Sequence, residues 1–166
     1  MLDQIVQWLT EHLGKIFSGE IITFIISMIP LLELRGGLLA AKLMDVPLIK
    51  AIPLCIAGNI IPIPFILLFI KSIFRFMRAH GILVKLIDKI ENRAMKKSAK
   101  VEGSEFIGLM LFVGIPLPGT GAWMGSLIAA LLNIDIKKAI VAELIGIIMA
   151  TIICSILWYG LLGLVV

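Results

Sequence analysis

Charged residues are scarce in this sequence. Only 16% of its 166 residues are Asp, Glu, Lys or Arg, whereas 60% are hydrophobic and the mean hydropathy is +1.11. A soluble domain is about a quarter charged, so the composition excludes a soluble globular domain and indicates an integral membrane protein. Both cysteines, Cys55 and Cys154, lie in apolar stretches, where a small buried hydrophobic role is expected rather than a disulfide framework.

Several functional motifs are missing as well. His12 and His80 are not spaced as metal ligands, so we expect no metal and no cofactor. The sequence contains no nucleophile elbow, P-loop or pair of catalytic carboxylates, so we do not expect an enzyme. Its basic residues are not interleaved with aromatics, which argues against nucleic acid as a partner. Asp3 stands where a signal peptide would be basic, and no signal peptide is expected.

Four long apolar stretches are present. Two of them are uncharged for the roughly 20 residues that a helix needs to cross a bilayer: Ala51–Ile70 with 20 residues and Leu144–Val166 with 23. The other two, Ile21–Met44 and Phe106–Ile134, are interrupted near the middle by proline and glycine. The pattern predicts an all-α polytopic membrane protein.

The two interruptions resemble each other. The first break, Ile29–Gly37, reads IPLLELRGG, and the second break, Ile115–Trp123, reads IPLPGTGAW. Pro118 removes a helical hydrogen bond, and Gly119 weakens the helix further. Backbone groups freed in hydrocarbon must be buried in protein or face a water-filled cavity. Each interrupted stretch is therefore predicted to be a re-entrant helical hairpin with the break at its tip.

The two halves of the chain are predicted to be a duplication. Pro30 matches Pro116 and Gly58 matches Gly146, and the offset between the copies grows from 86 to 88 residues. A hairpin returns to its own side and the following helix crosses the membrane, so successive units have opposite orientations and form an inverted repeat. The predicted single membrane domain, 1–166, comprises an amphipathic helix (1–18), repeat unit one (19–70), a basic cytoplasmic segment (71–104) and repeat unit two (105–166).

Positive charge is concentrated in one segment. Nine of the fifteen Lys and Arg residues lie between Lys71 and Lys100, and a short basic loop of this kind marks the cytoplasmic side. Apolar residues recur at helical spacing in 1–18 and 81–100. Both segments are predicted to be amphipathic helices that lie on the membrane surface or bind a partner.

The first break contains two ionisable residues, Glu33 and Arg35. At membrane depth such residues commonly mark a substrate or ion path. Gly36 and Gly37 are predicted to open a helix whose first amides favour an anion. In this interpretation Arg35 binds a phosphate or carboxylate and Glu33 accepts a proton, while Pro30, Gly36 and Gly37 are further candidate substrate-binding residues. The alternative is a Glu–Arg network that holds the hairpin tip in place.

The second break carries no charge, but its backbone and one hydroxyl are available to a ligand. Pro116, Pro118, Gly119, Thr120 and Gly121 are candidate substrate-binding residues at the start of a half-helix. The alternative is a glycine kink that lets the hairpins pack closely.

Two further polar residues lie in apolar stretches. Glu143, like Glu33, is a candidate proton-coupling residue. The alternative is that Glu143 is an acid at the membrane interface near the start of a helix. Asn59 is predicted to make an interhelical hydrogen bond.

The two breaks resemble the motifs of a known family. PLLELRGG (30–37) and PLPGTGAWMGS (116–126) look like the two signature stretches of the small multidrug export protein family, and the resemblance covers nearly the whole chain. The architecture is also similar to the DedA/VTT (SNARE-associated) superfamily, which has paired re-entrant helices and includes proteins implicated in lipid translocation, such as undecaprenyl phosphate recycling. The second break lacks the arginine often present in that superfamily, so phosphate recognition implied by this resemblance would rest on Arg35.

These observations predict a multi-pass protein of the plasma membrane that translocates an amphipathic anion such as a lipid phosphate, with coupling to protons. One alternative is an exporter of cationic drugs, in which Glu33 and Glu143 bind the substrate. Another is a non-transporting scaffold whose basic segment recruits a partner or anionic lipid. The expected partners are membrane lipids, a small amphipathic substrate and further copies of the chain, since two crossings enclose little volume and favour a homodimer or larger assembly.

The membrane topology tests the hairpins. Two re-entrant hairpins place both termini outside the cell, whereas two full crossings in the same stretches place both in the cytoplasm. We expect a reporter enzyme fused to the C-terminus to be active only when it requires the outer compartment. Activity of a reporter that works only in the cytoplasm would contradict the hairpins.

Overall fold

The computed structural model describes residues 2–102 and 104–161, and these residues form nine α-helices and a π-helical turn without any strand. The helices are α1 (Leu2–Leu13), α2 (Gly19–Met28), α3 (Glu33–Leu43), α4 (Leu48–Ile60), α5 (Pro62–Ala79), α6 (Val84–Glu102), α7 (Glu105–Gly114), α8 (Ala122–Leu131) and α9 (Ile136–Ser155), followed by the π-helical turn Ile156–Leu161. Met1, Gly103 and 162–166, which belong to the predicted first helix, basic segment and last span, lie outside the described residues.

The first interrupted stretch forms a closed hairpin. Helices α2 and α3 have 10 and 11 residues, about half of what a span requires, and both pack on α4. The chain reverses through residues 29–32. Leu31 and Glu33 have φ values of 75° and 50°, in the left-handed region that a tight reversal often uses. The interruption therefore lies where the sequence predicts it.

The second interrupted stretch is more open. Its helices α7 and α8 have 10 residues each, and the non-helical part of the second break, residues 115–121, separates them. Helix α7 packs mainly on α9, whereas α8 packs mainly on α5 and has few contacts with α7. The longer non-helical segment lets α8 diverge from α7, so the two halves are not identical in packing.

Matching ion pairs occur in the two halves. Lys50 on α4 lies 3.3 Å from Glu20 at the start of α2. Lys138 on α9 lies 2.7 Å from Glu105 at the start of α7. In each half, the lysine of the long helix thus pairs with an acid in the first turn of the half-length helix, where a negative charge also suits the helix dipole.

Helix ends and glycine contacts match as well. Asp45 after α3 and Asn133 after α8 have φ values of 54° and 56°, and both terminate their helix in a left-handed cap. A Cβ atom at Gly58 would lie 2.7 Å from a carbonyl oxygen of α2, and one at Gly146 would lie 2.7 Å from a carbonyl oxygen of α7. Each glycine therefore allows its long helix to approach the half-length helix beside it.

Two apolar helical segments of the described residues are long enough to cross a membrane, Leu48–Ala79 with 32 residues and Ile136–Gly160 with 25. Helices α4 and α5 join at Ile61, which has helical φ and ψ values, so the first segment is nearly continuous. Pro62 is tolerated because it occupies the first position of α5, where its missing N–H has no helical partner. The helix continues past Ile70, where the sequence predicted its end.

The two predicted amphipathic helices differ from their predicted bounds and pack against other helices. Helix α1 ends at Leu13 rather than Ser18, because the Ser18 hydroxyl caps the start of α2. It buries Val6 and leaves Trp8 57% exposed. Helix α6 begins at Val84 rather than at residue 81, and its buried residues Ile87, Ala94 and Val101 belong to the largest core cluster.

The matched glycines make a stability prediction. Gly58→Val and Gly146→Val would each force α4 or α9 away from its neighbour, so we expect each to lower the free energy of unfolding by about 1–3 kcal/mol. Thermal unfolding in detergent micelles measures the effect. Gly160→Val is the control, because the nearest atom to a Cβ there is 3.7 Å away. Equal melting temperatures for all three variants would contradict the close approach.

Candidate functional site

The two breaks meet at the centre of the molecule. The backbone amide of Ala122 donates to Oε2 of Glu33 at 3.0 Å, and that of Trp123 donates to Oε1 at 3.1 Å. These amides belong to the first turn of α8, which has no intrahelical acceptor for them. Glu33 therefore caps the N-terminus of a helix 89 residues further along the chain.

Burial makes this contact strong. Glu33 is 5% exposed, and a buried carboxylate needs hydrogen bonds or a cation to offset its lost hydration. The positive end of the α8 dipole and two amide donors supply this stabilisation. Each charge-assisted hydrogen bond contributes roughly 1.5–3 kcal/mol. The pair of bonds therefore ties the first break to α8.

Gly121 makes room for the carboxylate. Its φ is 129°, a conformation that side chains rarely adopt, and a Cβ atom there would overlap the carboxylate oxygens of Glu33. The glycine thus has two separate reasons to be present, its backbone conformation and the close approach of Glu33.

Arg35 forms the second link between the breaks. One guanidinium nitrogen donates to the carbonyl oxygen of Leu117 at 2.6 Å, and the other donates to the carbonyl and hydroxyl oxygens of Thr120, both at 3.0 Å. The Thr120 hydroxyl also contacts the carbonyl of Ile115 at 2.9 Å. These carbonyls lie in the non-helical part of the second break, so Arg35 satisfies backbone groups that the interruption leaves without helical partners.

We define the central junction as Glu33, Arg35, Thr120, Gly121 and the first turn of α8. Two further side-chain contacts support it. The indole N–H of Trp123 donates to the carbonyl of Met28 at 3.1 Å. Lys97 of α6 donates to the carbonyl oxygens of Gly119 and Pro118. The second break therefore makes hydrogen bonds with three other helices, α2, α3 and α6.

Gly36 and Gly37 occupy a different position relative to the start of α3 from the predicted one. Helix α3 begins at Glu33, so both glycines lie inside it rather than before it. A Cβ atom at Gly37 would overlap the Ser27 hydroxyl, and one at Gly36 would lie 2.8 Å from Leu32. Both glycines are present for close packing, and the predicted helix start after them is wrong.

The predicted prolines lie at the edges of the junction. Pro30 and Pro118 are exposed, and Pro116 is half-buried. Beside the second break is a cavity of about 210 Å³. Its lining residues are Gly108, Leu111, Phe112, Ile115, Leu117 and Thr120. Thr120 thus contacts both Arg35 and this cavity.

Glu143 is fully buried on α9 and separate from the hydrogen bonds of Glu33. The hydroxyl of Ser126 on α8 donates to Oε2 of Glu143 at 2.8 Å. Its other oxygen, Oε1, has no hydrogen-bond partner in the described part of the chain. Ser126 lies one helical turn after Ala122, so α8 carries contacts to both predicted carboxylates. Asn59 is buried, and its side-chain oxygen also lacks a partner among the described residues.

Sequence reasoning missed three contributors. The sequence patterns do not predict polar contacts for Trp123, Lys97 or Ser126. The signal for Ser126 is its position four residues after Ala122 on one helix face. Nothing in the sequence indicates the contacts of Lys97.

A comparison with known protein families assigns the chain to one of them. Residues 33–153 match the family described as "Putative small multi-drug export protein". The chain belongs to this family. The matched range includes every residue of the central junction, and the family together with the two long apolar helices indicates a membrane protein. No curated protein and no solved structure matched the chain.

The contact between Glu33 and α8 makes a testable prediction. Glu33→Gln replaces one acceptor oxygen by an NH₂ group that faces a backbone donor, so we expect the free energy of unfolding to fall by about 1.5–3 kcal/mol. Chemical unfolding in micelles measures it, and Glu11→Gln at an exposed position of α1 is the control. Equal stability of the two variants would contradict the cap.

Proposed function

We propose that the protein is a multi-pass transporter of the plasma membrane that exports small amphipathic cations, and that the central junction is its closed gate. The supporting observation is that two charged side chains, Glu33 and Arg35, hydrogen-bond the first interruption to the second. Both interruptions lie near the middle of apolar stretches. Interrupted helices at matching positions of two halves are typical of transporter substrate sites. The family description agrees with export.

The architecture in this proposal is an inverted repeat of two units. Each unit contains a half-length pair, α2–α3 or α7–α8, followed by a long apolar helix. The matching ion pairs Glu20–Lys50 and Glu105–Lys138 support the duplication, as do the matching glycines Gly58 and Gly146. The length of the short helices supports re-entry, because 10 or 11 residues span only half a bilayer.

Two observations favour a cationic substrate over the lipid phosphate that the sequence alone suggests. Arg35 already donates to three oxygen atoms of the second break, so its guanidinium is not free to receive a phosphate in this state. Two buried carboxylates, Glu33 and Glu143, both hydrogen-bond to the first half of α8. Carboxylates are the groups that a lipophilic cation and a proton would share.

Competition for Glu33 supplies a gating mechanism. While its carboxylate is charged, two amides of α8 hold it and the breaks stay closed. A proton or a substrate cation on Glu33 neutralises the charge and weakens these bonds, since charge-assisted hydrogen bonds are about twice as strong as neutral ones. The ligand then favours the open state by its differential affinity for the two states.

Glu143 is the second proton site in this mechanism. Oε2 accepts from Ser126, and Oε1 has no partner within residues 2–102 and 104–161, so Oε1 can carry a proton without losing a hydrogen bond seen there. Movement of α8 during opening would alter the contacts of Glu33 and Glu143 together, because both carboxylates bond to this helix. A homodimer or larger assembly would enclose the remaining substrate path.

Reconstitution tests the proposal. Liposomes containing the wild type and a proton gradient should accumulate ethidium. Glu143→Gln and Glu33→Gln each remove a carboxyl group that can carry a proton, and each should reduce the rate by about 100-fold or more, the range expected for a lost proton-transfer group. Glu11→Gln should transport like the wild type. A fluorescent lipid phosphate is tested as a second substrate in the same liposomes. Translocation of that lipid without any ethidium flux would contradict the cationic substrate and favour the lipid phosphate.

A further inference from the structure

A basic pocket of about 270 Å³ lies between α5, α6 and α8, away from the central junction. Its lining residues are Lys71, Phe74, Arg75, Arg78, Glu91 and Leu131. The four residues from α5 are spaced at i, i+3, i+4 and i+7, so they share one helix face. Three cations and two apolar side chains thus surround one depression.

The charges of this pocket are not balanced. Arg78 pairs with Asp88 at 2.7 Å and with Glu91 at 2.6 Å, so its charge is compensated. Among the described residues, Lys71 donates only to the neutral side-chain oxygen of Asn133, at 2.6 Å. Arg75 makes no hydrogen bond or ion pair with any described residue. Lys71, Arg75 and Arg78 together with Asp88 and Glu91 therefore leave one net positive charge at the pocket, and this charge lies on the side of Lys71 and Arg75 because both carboxylates bind Arg78.

The surroundings are suited to a lipid. Earlier turns of α5 expose large apolar side chains: Phe65, Leu68, Phe69 and Ile73 are 47–62% exposed. The cations follow at the polar end of the same helix, where the apolar segment meets the basic segment. A phosphodiester anion fits the cations, and acyl chains fit the adjacent apolar surface. Basic pockets between membrane helices commonly bind anionic lipid headgroups.

We propose that this pocket, formed by Lys71, Arg75 and the apolar side chains of Phe74 and Leu131, binds the headgroup of an anionic phospholipid. The site is separate from the substrate path and does not depend on what the protein transports. Occupancy would connect α5 with α6 and α8 at the membrane boundary, because these helices line the pocket together.

Lipid titration of the purified full chain in detergent tests the site. We expect phosphatidylglycerol to raise the melting temperature, and Lys71→Gln/Arg75→Gln to weaken its apparent binding by roughly 10- to 30-fold, the effect of two lost cation contacts. Lys85→Gln/Lys89→Gln removes the same charge from exposed positions of α6 outside the pocket and should bind like the wild type. Phosphatidylcholine and inorganic phosphate are titrated for comparison, and both should bind much more weakly than phosphatidylglycerol.

Two results would overturn the proposal. One is unchanged phosphatidylglycerol affinity in the double variant. The other is inorganic phosphate binding as tightly as the lipid, which would identify a soluble anion as the ligand. If the double variant melts early without lipid, Arg75→Gln alone gives the same readout, because Arg75 has no described partner to lose, and a loss of affinity of several-fold is then expected.

Discussion

The carboxylate of Glu33 on the first amides of α8 is the contact on which the rest of the structure depends. An interrupted helix in an apolar environment leaves backbone donors and acceptors that water cannot reach. Here the first break supplies what the second break lacks: Glu33 accepts from its amides, and Arg35 donates to its carbonyls. The side chains of the first break therefore satisfy the backbone groups of the second break, and the two interruptions stabilise each other.

The sequence predicted the positions of the breaks, the two long apolar helices and the spacing between the halves, because proline, glycine and apolar periodicity act locally. It placed both breaks at one substrate site, but it did not predict that side chains of the first break bond to the backbone of the second. That contact joins side chains to backbone groups 89 residues away, and backbone groups leave no pattern in the residue types. The helix start at Glu33 was missed for a related reason: Gly36 and Gly37 suggest a flexible tip, yet they are needed because α3 packs closely on its neighbours.

The two halves of the chain match at their edges and differ at their centre. Ion pairs and glycine contacts recur in both halves, whereas the first break carries the charged Glu33 and the second break places Gly121 against it. A charged side chain in one half thus meets a small residue in the other. In the proposed transporter this difference provides a single titratable contact between two otherwise similar units, so neutralising one carboxylate is enough to change how the units are joined.

The amide proton chemical shifts of Ala122 and Trp123 test the central contact most directly. In isotope-labelled protein in micelles, hydrogen bonds to a charged carboxylate move both signals downfield, and Glu33→Gln should return both upfield, whereas Glu11→Gln should leave them unchanged. If both signals are the same in the wild type and in Glu33→Gln, then Glu33 does not cap α8 and the breaks are held together in some other way.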